Sequence, residues 1–96
     1  MKILAIEKEV PGVKDEDYNP HLKAEALKAW ELYQSGVIRE LYFSDKNMAF
    51  LILEAKDANE ARNFLNFLPL VKEKLIDFEI VSLLPYPGFG RLFEKF

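Results

Sequence analysis

The chain of 96 residues has no cysteine. That excludes a disulfide framework, thiolate zinc sites and cysteine nucleophiles, and it fits a cytoplasmic setting. It has one histidine and no spaced carboxylate set, so no metal site is expected. Lysine and arginine are nowhere concentrated. With a net charge of −3, the basic footprint of a nucleic-acid binder is missing. No apolar segment approaches the ~18 residues that span a membrane. The apolar run in MKILAIEKEV is too short for a signal peptide, and acidic residues follow at once. There is no P-loop, no GxGxxG after a strand and no GxSxG elbow, so no nucleotide cofactor is expected.

What is present is a core. Half of the residues are hydrophobic and 14% are aromatic, enough for one packed domain over residues 1–96 and too rich for a disordered chain. KILAIEK (Lys2–Lys8) alternates and predicts a first strand. VPGVKDEDY (Val10–Tyr18) reads as a loop, and Asn19-Pro20 as an N-cap with proline at the first helical position. HLKAEALKAWELYQS then forms a helix that Gly36 closes. VIRELYFS and MAFLILEA are the second and third strands, joined by the polar turn Asp45-Lys46-Asn47. Asp57, with Glu60 three residues on, opens a second helix with an apolar stripe of Ala58, Ala61, Phe64, Leu65 and Leu68; Pro69 is expected to end it. LIDFEIVSLL (Leu75–Leu84) is the fourth strand.

The order β-α-β-β-α-β predicts an α+β, ferredoxin-like sandwich: a four-stranded antiparallel sheet with two helices on one face. In MAFLILEA both alternating sets are apolar: Ala49, Leu51 and Leu53 on one side, Phe50 and Ile52 on the other. A strand apolar on both sides is usually covered on both sides. Two helices cover one face only, so the second face is expected to meet another subunit, giving a homodimer or higher homo-oligomer.

The segment LPLVKEKLIDFEIVSLLPY (Leu68–Tyr86), a Leu-Pro-Leu turn followed by an acidic, alternating last strand, resembles the muconolactone isomerase-like group of the dimeric α/β-barrel superfamily. The stretches HLKAEALKAWELYQSGVIRELYF and PYPGFGRLF look still closer to small uncharacterised proteins placed loosely in that group. The resemblance implies two sheets meeting face to face as a dimeric α/β barrel, with a small-ligand pocket between sheet and helices. It implies a cofactor-free isomerase or related enzyme acting on a small carboxylated or aromatic compound. The alternatives are a non-catalytic small-ligand binding or structural dimer, and a cofactor-free monooxygenase-like protein.

The residues themselves offer few groups for chemistry. Of the first helix's charged side chains, Glu25 lies nearest the apolar stripe, and His21 is one turn earlier, within reach at i,i+4. Such a pair is either an acid/base element or a surface pair. Arg39 offers a bidentate clamp for a carboxylate ligand or a cross-strand ion pair. Tyr42 shares a face with Ile38 and Glu40 and orients a ligand or packs with its tip wet. Glu54 is a partly desolvated carboxylate or a strand-end group, and Trp30 is core or a stacking platform. Residues 85–96 form an apolar tail, with Tyr86 at its start as a candidate ligand-binding residue. Pro85 and Pro87 stop the strand and Gly88 and Gly90 let the chain bend. Phe89, Leu92, Phe93 and Phe96 then need cover, at a dimer seam, at one end of the pocket, or on their own subunit.

Overall fold

The computed structural model describes residues 1–94. Four strands, β1 (Lys2–Glu9), β2 (Ile38–Phe43), β3 (Ala49–Glu54) and β4 (Ile76–Leu83), form one sheet in the order β2-β3-β1-β4. Every neighbouring pair is antiparallel. The helices are α1 (Asp15–Tyr18), α2 (Leu22–Gln34), α3 (Ala58–Leu65) and α4 (Pro69–Lys72), with 3₁₀ turns at Asn19–His21 and Gly88–Phe93. This is the expected ferredoxin-like arrangement. None of the described helices is long and apolar enough to cross a membrane.

Local signals set most boundaries. Asp57 Oδ1 accepts the Glu60 N–H at 2.9 Å and caps α3. Gly36, at φ 84°, closes α2 with two bonds: its own N–H to the Tyr33 carbonyl and the Val37 N–H to the Leu32 carbonyl. That pair is a Schellman motif, and it needs the left-handed conformation glycine adopts freely. Two readings are corrected. Residues 10–18 are not all loop: Asp15–Tyr18 is a helical turn, and α2 begins at Leu22 rather than at Pro20. Pro69 does not end a helix; it begins one. α3 stops at Leu65, Leu68 is extended, and Pro69 is the first residue of α4, where a missing N–H is harmless.

The core lies between the sheet and α3. Phe78, Ile3, Ile38, Leu53, Leu65 and Leu68 are its largest fully buried side chains. β2 carries an irregularity that the alternation does not show. Ile38 pairs with Leu53 and Glu40 with Ile52, so Arg39 is an extra, bulged residue. The bulge puts Ile38 on the same face as Leu41 and Phe43, turned toward the helices with Leu51 and Leu53. Leu4, Ile6, Phe50, Ile52 and Val81 form the opposite face, and each is only half-buried. The double-sided apolarity of β3 is therefore real, and one side lies open in the single chain.

Within the described residues the tail is not packed on the domain. Leu84, Tyr86, Phe89, Leu92 and Phe93 are all exposed, Phe93 by 83%. The radius of gyration is 16.3 Å and the longest dimension 61 Å. A compact chain of this length would have a radius near 12–13 Å, so the tail projects from the domain. Within it, Tyr86 packs edge-on against Phe89 with ring centres 5.1 Å apart, and the Tyr86 ring covers Gly88. Phe96 lies outside the described residues.

Candidate functional site

α2 stands over β2 and β3 on small residues. Ala26 and Ala29 face the sheet where α3 presents Leu65 and Phe64, and a single α2 residue, Leu32, is buried. The space they leave is an open cleft of about 820 Å³, well within the range of small-molecule sites. Its floor is apolar, made by Ile38, Leu51, Leu68 and Phe78; Tyr18 and Leu22 close one side. A shallower apolar groove on the far side of the α2 alanines is lined by Trp30, Tyr33 and Leu41. Trp30 and Tyr33 stack there with ring centres 5.9 Å apart.

Glu25 enters the cleft from α2. Its Oε1 accepts the Leu70 N–H at 2.8 Å. Leu70 is the second residue of α4, where no backbone acceptor is available within the helix, so the carboxylate satisfies an otherwise orphaned donor. Burial raises the proton affinity of Glu25 and is the dominant influence; the Leu70 bond opposes it, and the nearby Glu7 carboxylate adds to it. Oε2 has no hydrogen-bond partner among the described residues. The result is a half-buried carboxyl with one oxygen fixed, the other without a partner among the described residues, and a proton held more tightly than in water. Such a group can take a proton from, or return one to, a bound molecule.

Glu7 also lines the cleft. Its Oε1 accepts the Ala49 N–H at 2.9 Å, just beyond the last β1–β3 pair at Ile6 and Phe50, and so extends the sheet by one side-chain bond. Above it, the Tyr18 hydroxyl holds its proton more tightly than usual, first through burial and then through Glu7, Asp15, Glu9 and Asp17.

Of the residues expected to carry chemistry, Glu25 lines the cleft and Trp30 the neighbouring groove; Tyr42 borders the cleft from β2, but its pairing with Phe50 sets its side chain on the opposite face of the sheet. His21 does not bond Glu25. It is the residue preceding α2, and the carboxylate turns to Leu70 instead; the i,i+4 pairing is corrected on that point. Arg39 lines neither cavity, because the bulge folds its side chain back and Nε donates to the Gly36 carbonyl at 2.6 Å. The Tyr42 hydroxyl donates to Glu40 Oε1 at 2.7 Å, and that acceptor raises its pKa. Glu54 accepts from the Met1 amino group at 2.7 Å, which lowers its pKa. Tyr86 is in the projecting tail, away from both cavities. Among the cleft residues that the sequence did not single out are Glu7, Glu9, Asp15 and Tyr18. Glu7 shares the parity of Ile3 and Ala5, so its face was legible; Tyr18, at the end of an unforeseen helical turn, gave no signal. Among the described residues no group of three or more His, Cys, Asp or Glu side chains is arranged to hold a metal.

No protein-family model matches the chain, and no curated protein does. Solved structures do. Muconolactone isomerase superposes with a TM-score of 0.72 at 18% identity, over 92% of this chain and 93% of that one. The 5-chloro-2-hydroxyhydroquinone dehydrochlorinase TftG of Burkholderia phenoliruptrix AC1100, solved with 2,5-dihydroxybenzoquinone, superposes with a TM-score of 0.70 at 20% identity, over 92% of this chain and 98% of that one. The likeness runs over nearly the whole of each partner, and it is the fold that is shared: the chain is an α+β, ferredoxin-like domain built like muconolactone isomerase and TftG.

Proposed function

We propose that the protein is a cofactor-free enzyme of the isomerase-like type, working as a homodimer in the cytosol on a small aromatic or carboxylated compound bound in the α2 cleft. Glu25 moves the proton. The observation that carries this reading is the state of that carboxyl: half-buried, anchored through one oxygen by Leu70, without a partner at the other among the described residues, and raised in proton affinity by desolvation. The fold shared with an isomerase and a dehydrochlorinase supports the same class of chemistry. The incompletely buried apolar face of Leu4, Ile6, Phe50, Ile52 and Val81 supports the dimer.

The test is Glu25→Gln assayed on a panel of small lactones and hydroxylated aromatics. Gln keeps an oxygen for the Leu70 N–H and loses the titrating group. Turnover is expected to fall by about 10²–10⁴-fold, the usual contribution of a positioned acid/base. An unchanged rate removes Glu25 from the mechanism. A second reading, a binding dimer without turnover, is favoured by the engagement of Glu7, whose carboxylate is tied to the Ala49 N–H. Under it, ligands bind the cleft and are recovered unchanged. Sedimentation equilibrium checks the dimer, and a monomer at micromolar concentration would refute it.

A further inference from the structure

The charges around the cleft are unevenly signed. Four carboxylates line it, those of Glu7, Glu9, Asp15 and Glu25, against one cation, Lys46. Three other cations are engaged elsewhere. Arg39 is folded onto Gly36, and Arg62 is tied to Asp77 Oδ1 and the Phe78 carbonyl at 2.9 and 2.6 Å. Lys8 faces Asp77 at 3.7 Å. A ligand entering the cleft meets acceptors and negative charge over an apolar floor.

We propose that the cleft selects its ligand by charge, preferring an aromatic compound bearing a protonated amine, accepting its neutral hydroxyl counterpart less well, and turning carboxylates away. The inference rests on reading the cleft as a small-ligand site. The cavity and its apolar floor make that site; the carboxylates set which charge it tolerates. Ile38, Leu51, Leu68 and Phe78 take the ring. Glu25 Oε2 and the Glu9 and Asp15 carboxylates at the rim accept from the ammonium group. The raised proton affinity of the Tyr18 phenol, to which Glu7, Asp15 and Glu9 each contribute after burial, agrees with a negative field in this space. A carboxylated ligand would need a donor pair such as an arginine fork, and no arginine lines the cleft. This narrows the aromatic-or-carboxylated class above to its non-anionic side.

Three near-isosteres test the order: tyramine, tyrosol and 4-hydroxyphenylacetate, titrated into the ¹⁵N-labelled full chain to millimolar concentration. Tyramine should bind at least tenfold tighter than 4-hydroxyphenylacetate, with tyrosol between them, and shift the amides of Glu25, Leu51 and Leu70. The Glu9→Gln, Asp15→Asn double variant should shrink the tyramine advantage, since both carboxylates are exposed and bond no other side chain within the described residues; added salt should shrink it too. Equal or reversed affinities at the cleft would overturn charge selection and leave the small-ligand site standing. No binding of any of the three at the cleft would overturn both.

Discussion

The two halves of the helical layer solve the same problem differently. α3 lays Ala61 and Leu65 against β4, and both are fully buried; Leu68, just beyond it, is 2% exposed. α2 covers the other half with alanines and one buried leucine, Leu32, while Leu22, Leu27, Trp30 and Tyr33 are all exposed. One helix is packed to exclude everything, and the other is held off the sheet. The difference teaches where stability and binding are placed. The closed half supplies the rigid wall. The open half presents Glu25, a carboxyl whose second oxygen has no partner among the described residues and whose proton is held tightly.

That contrast is most strongly tested by truncation. Leu65→Ala removes a fully buried side chain from a closed core, and should destabilise the protein by about 2–5 kcal/mol. Leu22→Ala removes a half-exposed side chain from the cleft wall and should change stability by less than about 1 kcal/mol. Urea melts of the two variants measure both. Equal losses would mean that the α2 half is as tightly closed as the α3 half.

Enlarging the alanines should give opposite signs. Ala61→Leu forces a larger side chain into a filled core, and a loss of about 1–3 kcal/mol is expected. Ala26→Leu adds apolar surface over an existing cavity, so stability should hold or rise by up to about 1 kcal/mol while ligand binding in the cleft is lost. Thermal shift with and without tyramine separates the two effects. A destabilised Ala26→Leu would show that the cleft does not admit the extra side chain.

The sequence made much of this plain and hid the rest for identifiable reasons. Alternation in KILAIEK and MAFLILEA, the Asp57–Glu60 spacing and Gly36 are local signals, and the strands, cap and helix end follow from them. Pro69 misled because one residue type has two uses: it breaks a helix interior and also begins a new helix, and only the extended backbone at Leu68 tells which applies. The Arg39 bulge left no mark in the alternation, yet it removes the arginine from the site. Glu25 was singled out from its angular position on α2. Its partner Leu70 was not, because the bond spans 45 residues and depends on how α4 meets α2. His21 looked like the partner only because it is near in sequence.

A smaller effect compares how two helices end. α2 stops on Gly36 at φ 84°, while α4 stops on Lys74 at φ 61°; Lys74 N–H bonds the Val71 carbonyl and Leu75 N–H the Leu70 carbonyl, the same two-bond pattern in both places. A lysine in the left-handed region costs roughly 1 kcal/mol relative to glycine. Lys74→Gly should therefore stabilise by about that amount, and Gly36→Ala should destabilise by a similar one. Gly36 has room for the methyl group, its nearest contact being the Arg39 guanidinium at 3.9 Å, so the effect there is one of backbone conformation alone. Denaturation midpoints of the two variants should move in opposite directions.

The smallest effect is on the slope of stability against pH. Desolvation holds the Glu25 pKa above its ordinary value, so the folded protein retains this proton at pH values where the unfolded chain has released it. Where the folded state binds more protons, stability falls as pH rises. The contribution of Glu25 is therefore complete below the ordinary carboxylate range and is lost as pH climbs through the raised folded value. Asp77 works in the other direction. The Phe78 N–H, and after it Arg62, hold its pKa below the usual range, so its contribution is present at neutral pH and is lost on acidification. Glu25→Gln should abolish the first slope and leave the second, so that the variant gains on the wild type as pH rises from the carboxylate range toward neutrality and loses with it in acid. Parallel curves for the two proteins across both ranges would mean that Glu25 titrates as an ordinary surface carboxyl, and the open half of the helical layer would then have no special proton to offer.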